Sequence, residues 1–173
     1  MQFIKERPNS AETLELVLRQ REIKSNEIKV LSEHYHAPVI GIRVNIPGES
    51  KREAWAFKLF RAAVEAVTGK LNQSGIVYFS KILEPHYEYL MLIVAKEEIA
   101  KLKQICVEIE ESHPMGRTFD LDVYLPDATP ISRGEGSQRK CFLCDAPAHE
   151  CARSRAHDVA SLRAYLISKA SSL

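Results

Sequence analysis

The chain reads as an α+β protein built on a ferredoxin-like βαββαβ core, an antiparallel sheet with helices on one face. An N-terminal helix precedes the core, and a cysteine-containing loop and a last helix follow it. Short apolar runs alternate with stretches of helical apolar period in the order strand, helix, strand, strand, helix, strand. A Glu84-Pro85-His86 turn joins the two middle runs, as in a hairpin. The 173 residues have ordinary apolar and charged fractions and suffice for one domain with a sizeable core. A single domain over 1–173 is expected. It has a helical segment over 1–37, the α+β core over 38–126, and an Arg- and Cys-rich loop with the C-terminal helix over 127–173.

Asn9-Ser10-Ala11-Glu12 offers a helix cap, and Leu14, Val17 and Leu18 continue the pattern. Ser25-Asn26 is expected to break this helix before a second short one carrying Ile28 and Leu31. Pro38 ends helical order. Residues 39–46 are apolar at most positions, so they read as a central strand, closed by Pro47-Gly48. Gly48-Glu49-Ser50-Lys51 is expected to open the next helix, with Trp55, Phe57, Leu59, Phe60, Val64 and Val67 on it and Gly69 as its C-cap. Strands over 76–83 and 87–95 form the hairpin. A helix over 96–111 turns Ile99, Leu102, Ile105, Cys106 and Ile109 to the core, and the last strand lies beside the first.

That last strand carries the chemistry. A Pro-x-Gly turn, Pro114-Met115-Gly116, runs into Phe119-Asp120-Leu121-Asp122-Val123. Alternation puts Asp120 and Asp122 on one face and the apolar residues on the other. Strands disfavour aspartate, and two carboxylates one pleat apart repel unless a cation lies between them. Mg²⁺ suits such a pair together with the phosphate oxygens of a substrate. The expected helix start at Gly48 and Lys51 would add backbone N–H groups, which favour phosphate.

Net charge is +1, so local patches rather than a whole-molecule field must steer any charged partner. No apolar run has membrane-spanning length and no apolar signal core opens the chain, so a cytoplasmic location without membrane association is expected. Four cysteines there point to thiols or metal ligands rather than disulfides. Cys141-Phe142-Leu143-Cys144 can grip zinc, with Cys151 and His157 completing a tetrahedron and His149 competing for the fourth place. Buried reduced thiols and a redox pair are the alternatives.

Several blocks occur in one order: Ile46-Pro47-Gly48 with Lys51; His113-Pro114-Met115-Gly116-Arg117 with Phe119-Asp120-Leu121-Asp122-Val123; Ile131-Ser132-Arg133; Arg139-Lys140-Cys141-Phe142-Leu143-Cys144; and Cys151-Ala152-Arg153-Ser154-Arg155 with His157. Together they resemble the CitX family, the apo-citrate lyase phosphoribosyl-dephospho-CoA transferases, also called holo-acyl-carrier-protein synthases of citrate lyase. The likeness runs from the N-terminal helix almost to the C-terminus. It implies a nucleotidyltransferase that moves a prosthetic group from 2′-(5″-triphosphoribosyl)-3′-dephospho-CoA to a serine of the acyl carrier (gamma) subunit of citrate lyase, releasing pyrophosphate. The malonate decarboxylase holo-carrier synthase performs the analogous reaction.

In that reading Asp120 and Asp122 hold Mg²⁺, and one of them, or His113, takes the serine proton, an aspartate being favoured. Arg117, Arg133, Arg139 and Arg153 or Arg155 clamp the triphosphate, since guanidinium meets phosphate oxygens in pairs. Gly48 and Lys51 complete the substrate site. Structural zinc is not required by the family's chemistry. The competing reading is a zinc-knuckle module that binds nucleic acid or protein through the Arg-rich tail. A nearly balanced charge and the lack of an aromatic-lined basic face argue against nucleic acid as a partner.

Overall fold

The computed structural model describes residues 10–83, 87–132 and 139–173. Helix α1 (Ser10–Tyr35) leads into strand β1 (Val39–Val44), helix α2 (Ala54–Gln73), strands β2 (Tyr78–Leu83) and β3 (Leu90–Ala95), helix α3 (Ile99–Ser112) and strand β4 (Phe119–Tyr124). Helices α4 (Ala148–Ser154) and α5 (Val159–Ala170) follow. The four strands form one antiparallel sheet in the order β2-β3-β1-β4, so β1 is central and β4 lies beside it, as expected. The turn expected at Glu84-Pro85-His86 lies outside the described residues. No helix among the described residues is long and apolar enough to cross a membrane.

Strict alternation gives the sheet two different faces. Ile40, Ile42 and Val44 of β1, Met91 and Ile93 of β3, and Phe119, Leu121 and Val123 of β4 are buried against Leu59, Phe60 and Val67 of α2 and Leu102, Ile105 and Ile109 of α3. Each fully buried Leu or Ile contributes about 1.5–3 kcal/mol, whereas an exposed ion pair adds about 0–1 kcal/mol, so this layer holds the fold. On the other face Val39, Leu90, Leu92, Val94 and Tyr124 pack with Ile28 and Leu31 of α1. Register on that face sets Arg43 opposite Asp120 and Gly41 opposite Asp122.

Three local expectations are corrected. First, α1 runs unbroken through Ser25-Asn26. Gln20, Ile28, Leu31 and Ser32 are buried on one side of it, with Lys24 half-buried between, while Leu14 and Leu18 are exposed. Packing on that side holds the helix across two residues that are only neutral in helices.

Second, α2 starts at Ala54, with Glu53 as its N-cap, not at Gly48. Gly48 takes a left-handed φ of +84° in a turn held from α5. Arg163 donates to the carbonyls of Pro47 (3.1 Å) and Ser50 (3.0 Å), pairs with Glu53, and stacks over Trp55. Third, α2 runs past Gly69 to Gln73. Ser74 is its C-cap and Gly75, at φ +66°, follows it, with Gly75 N–H donating to Asn72 O and Ile76 N–H to Leu71 O, the double closure that a left-handed residue permits.

Two glycines are required by close approach. A Cβ at Gly41 would stand 2.8 Å from Cε2 of the Tyr124 ring, and one at Gly116 would stand 2.7 Å from backbone atoms of Ile109 and Glu110. A ring can rotate and a helix backbone cannot. Gly41→Ala is therefore expected to cost about 1–3 kcal/mol, and Gly116→Ala clearly more, in urea unfolding. Equal costs would show that the α3–β4 junction yields more readily than its geometry implies.

Candidate active site

The α1-facing side of the sheet carries a polar cluster centred on β1 and β4. Arg43 Nη2 lies 2.5 Å from Asp120 Oδ2 and 3.2 Å from Asp122 Oδ2, and its Nη1 lies 3.1 Å from Glu88 Oε1. Burial works against the Arg43 charge, but Asp120 and Glu88 outweigh it and hold its pKa above the ordinary value. Glu88 is set from α1: Gln20 Oε1 accepts from the N–H groups of Tyr87 and Glu88, and Gln20 Nε2 donates to Glu88 O at 2.9 Å. A buried glutamine thus satisfies the backbone just ahead of β3.

Lys24, one turn further along α1, donates to the Tyr124 hydroxyl at 3.1 Å, and that hydroxyl donates to Asp122 Oδ2 at 3.1 Å. The ring lies over Gly41, which has no Cβ to displace it. Burial and then Asp122 push the phenol above its ordinary pKa, so it remains a donor. Burial and then Arg43 lower that of Lys24. Lys51 donates to Ile46 O and lies over the Tyr87 ring. Burial lowers its pKa, while Glu88 opposes the shift.

At the sheet edge, Glu110 of α3 is buried and accepts from Leu121 N–H at 2.9 Å. Arg139 joins the two faces: Nη2 reaches Glu110 at 2.6 Å and Nη1 reaches Asp120 Oδ1 at 2.9 Å. The Arg139 backbone belongs to a small knuckle, since Ala148 N–H donates to Arg139 O and Cys141 N–H to Ala146 O. Within that knuckle the ligand atoms of Cys141, Cys144, Cys151 and His157 all lie within 4.8 Å of one another. Cys144 Sγ is 3.4 Å from Cys151 Sγ and 3.2 Å from His157 Nε2. A zinc tetrahedron with ~2.3 Å zinc–sulfur bonds has edges of roughly 3.8 Å, so the spacing suits a metal, and the cysteines are unbridged. Cys144 alongside pushes the Cys151 thiol up to about 12. His157, not His149, completes the cluster.

Asp120, Asp122, Lys51 and Arg139 are therefore brought together around Arg43. His113 accepts from Met115 N–H at Nδ1, and its ring packs 4.8 Å from that of Phe119, on the helix-covered side opposite the aspartates. Arg117, Arg153 and Arg155 are exposed, and none pairs with Asp120 or Asp122 among the described residues. Arg133 lies outside the described residues. The phosphate-binding helix start expected at Gly48 is replaced by the Arg163-held turn.

Sequence reasoning missed Gln20, Lys24, Arg43, Glu88, Glu110 and Tyr124. One signal was available for Arg43. It interrupts an apolar run, and pairing β1 with β4 puts a cation beside two aspartates. Two carboxylate oxygens, Asp120 Oδ2 and Asp122 Oδ2, converge on a single positive atom. Carboxylate oxygens are the hard donors that divalent cations such as Mg²⁺ take.

Residues 12–172 match the family described as CitX, apo-citrate lyase phosphoribosyl-dephospho-CoA transferase. The chain is 30% identical over 162 residues to a Vibrio cholerae protein named as a probable apo-citrate lyase phosphoribosyl-dephospho-CoA transferase, covering 91% of this chain and 90% of that one. A Streptococcus pyogenes protein of the same name is 31% identical over 163 residues, covering 89% and 84%.

Proposed function

The chain belongs to the CitX family of apo-citrate lyase phosphoribosyl-dephospho-CoA transferases and is a transferase of that group, and from this premise we propose how its polar face works. The donor is 2′-(5″-triphosphoribosyl)-3′-dephospho-CoA, and the acceptor is a serine hydroxyl of the acyl carrier (gamma) subunit of citrate lyase. The serine oxygen bonds to the phosphorus nearest the ribose, the bridge to the next phosphate breaks, and pyrophosphate leaves. The observation that carries this reading is the convergence of Asp120, Asp122 and Glu88 with Lys24, Arg43, Lys51 and Arg139 on one face of the sheet.

Phosphoryl transfer asks a protein mainly for positioning and for charge placed where charge develops. Asp120 and Asp122 are the residues that hold Mg²⁺, which when bound neutralises polyphosphate oxygens. Arg43 and Arg139 offer planar forks to those oxygens. Lys24, near Asp122, and Lys51, near Glu88, offer point charges. One aspartate accepts the serine proton, and His113 serves its turn instead. The Cys141–Cys144–Cys151–His157 cluster holds structural zinc and so fixes the backbone that aims Arg139. The reaction takes place in the cytoplasm.

Asp120→Asn keeps the side-chain shape and removes one charge. Mass spectrometry of the carrier subunit, incubated with donor, Mg²⁺ and the variant, is expected to show transfer lowered by about 10²-fold or more with the fold intact by circular dichroism. Retained transfer would remove the two-aspartate mechanism. Binding of nucleic acid, unharmed or improved by the same change, would favour a knuckle-based binding module instead.

Metal analysis of protein purified without added zinc is expected to find one zinc per chain, and Cys144→Ser to reduce it. Chelation is expected to lower the thermal midpoint. A loss of about 1–2 kcal/mol moves a chain of this size by roughly 2–8 °C. Zinc-free protein with an unchanged midpoint would rule out the structural zinc.

A further inference from the structure

Asp120 and Asp122 already have a cation. The single Nη2 atom of Arg43 stands where both Oδ2 atoms converge, and Nη1 is tied to Glu88. We infer that Arg43 is a built-in counter-ion that closes the carboxylate pair to divalent metal in the free protein and leaves it for the phosphate of an incoming donor. Metal and polyphosphate then enter together. This inference rests on the proposed reading of the aspartates as metal carboxylates and adds the residue that gates them.

Three features carry it. The first is register: Arg43 is the direct cross-strand partner of Asp120, so the pairing is built into the sheet and needs no loop to order. The second is charge. Among the described residues, Lys24, Arg43 and Arg139 face Asp120, Asp122 and Glu88, so cations of the chain already answer these carboxylates. A divalent cation alone unbalances that set, while a cation arriving with a polyphosphate brings its own opposing charge. The third is freedom to exchange. The side chains of Arg43, Asp120 and Asp122 are 23%, 23% and 26% exposed, so water reaches a cluster that is otherwise covered. A guanidinium that trades carboxylate for phosphate exchanges one charge-assisted fork for another.

Glu88 gives the movement a pivot. Gln20 fixes its backbone on both sides, so it remains in place when the Arg43 fork turns away from β4. A permanent stitch between β1 and β4 would look the same at rest and differ in its response to metal.

The test is Mn²⁺ binding to the full chain, followed by the paramagnetic resonance of free Mn²⁺ with no nucleotide present. Wild type is expected to bind weakly and Arg43→Gln to bind about tenfold or more tightly, because a unit charge a few ångströms from the site is removed. Arg43→Lys, which meets one carboxylate rather than bridging two, is expected to fall between them and serves alone should Arg43→Gln fail to fold. Equal Mn²⁺ affinity in wild type and either folded variant overturns the gate and leaves the transferase reading standing. Tight binding by Arg43→Gln that survives Asp120→Asn and Asp122→Asn together overturns the aspartates as the metal site.

Discussion

The ion pairing between Arg43 and the two β4 aspartates is the constraint on which the polar face of the sheet depends. It exists because β1 and β4 are hydrogen-bonded in one register, with Arg43 opposite Asp120 and Gly41 opposite Asp122. A slip by one residue would send the aspartates into the layer now filled by Phe119, Leu121 and Val123. The apolar layer therefore enforces the polar one. Burial of large side chains against α2 and α3 holds the register, and the register assembles the charges.

The division of labour extends to the helices. Helices α2 and α3 present apolar faces and act as ballast for the sheet. Helix α1 is different, because its inward side carries Gln20 and Lys24 before it reaches Ile28 and Leu31. Its C-terminal half anchors it, and its middle reaches the polar cluster. Glu110 is the exception on α3: a buried carboxylate that satisfies the edge N–H of Leu121 and draws Arg139 across the rim. The cysteine knuckle that follows β4 enters the same cluster through Arg139.

Much of the architecture was legible because it rests on period. Alternation in β4 separated Asp120 and Asp122 from the core residues, and the run of elements gave the strand order with β1 in the middle. The Cys-x-x-Cys spacing found its partners in Cys151 and His157. What failed was local punctuation. Gly69 has the residue type of a helix cap, but only Gly75 takes the left-handed backbone that closes α2. Gly48 and Lys51 looked like a helix start because a helix does follow, yet Arg163, more than a hundred residues later, claims the carbonyls there. Gln20, Lys24 and Glu88 could not be read as one site, since nothing local says that α1 crosses the sheet on the aspartate side.

The grip of Arg163 on Pro47, Ser50 and Glu53 has a temporal consequence. The turn bearing Lys51 is translated more than a hundred residues before the side chain that shapes it. The sheet can pair while synthesis continues, whereas the lysine's perch is finished only when α5 packs against the turn. A nascent chain stalled before α5 would hold a formed sheet and an unfinished turn at Lys51.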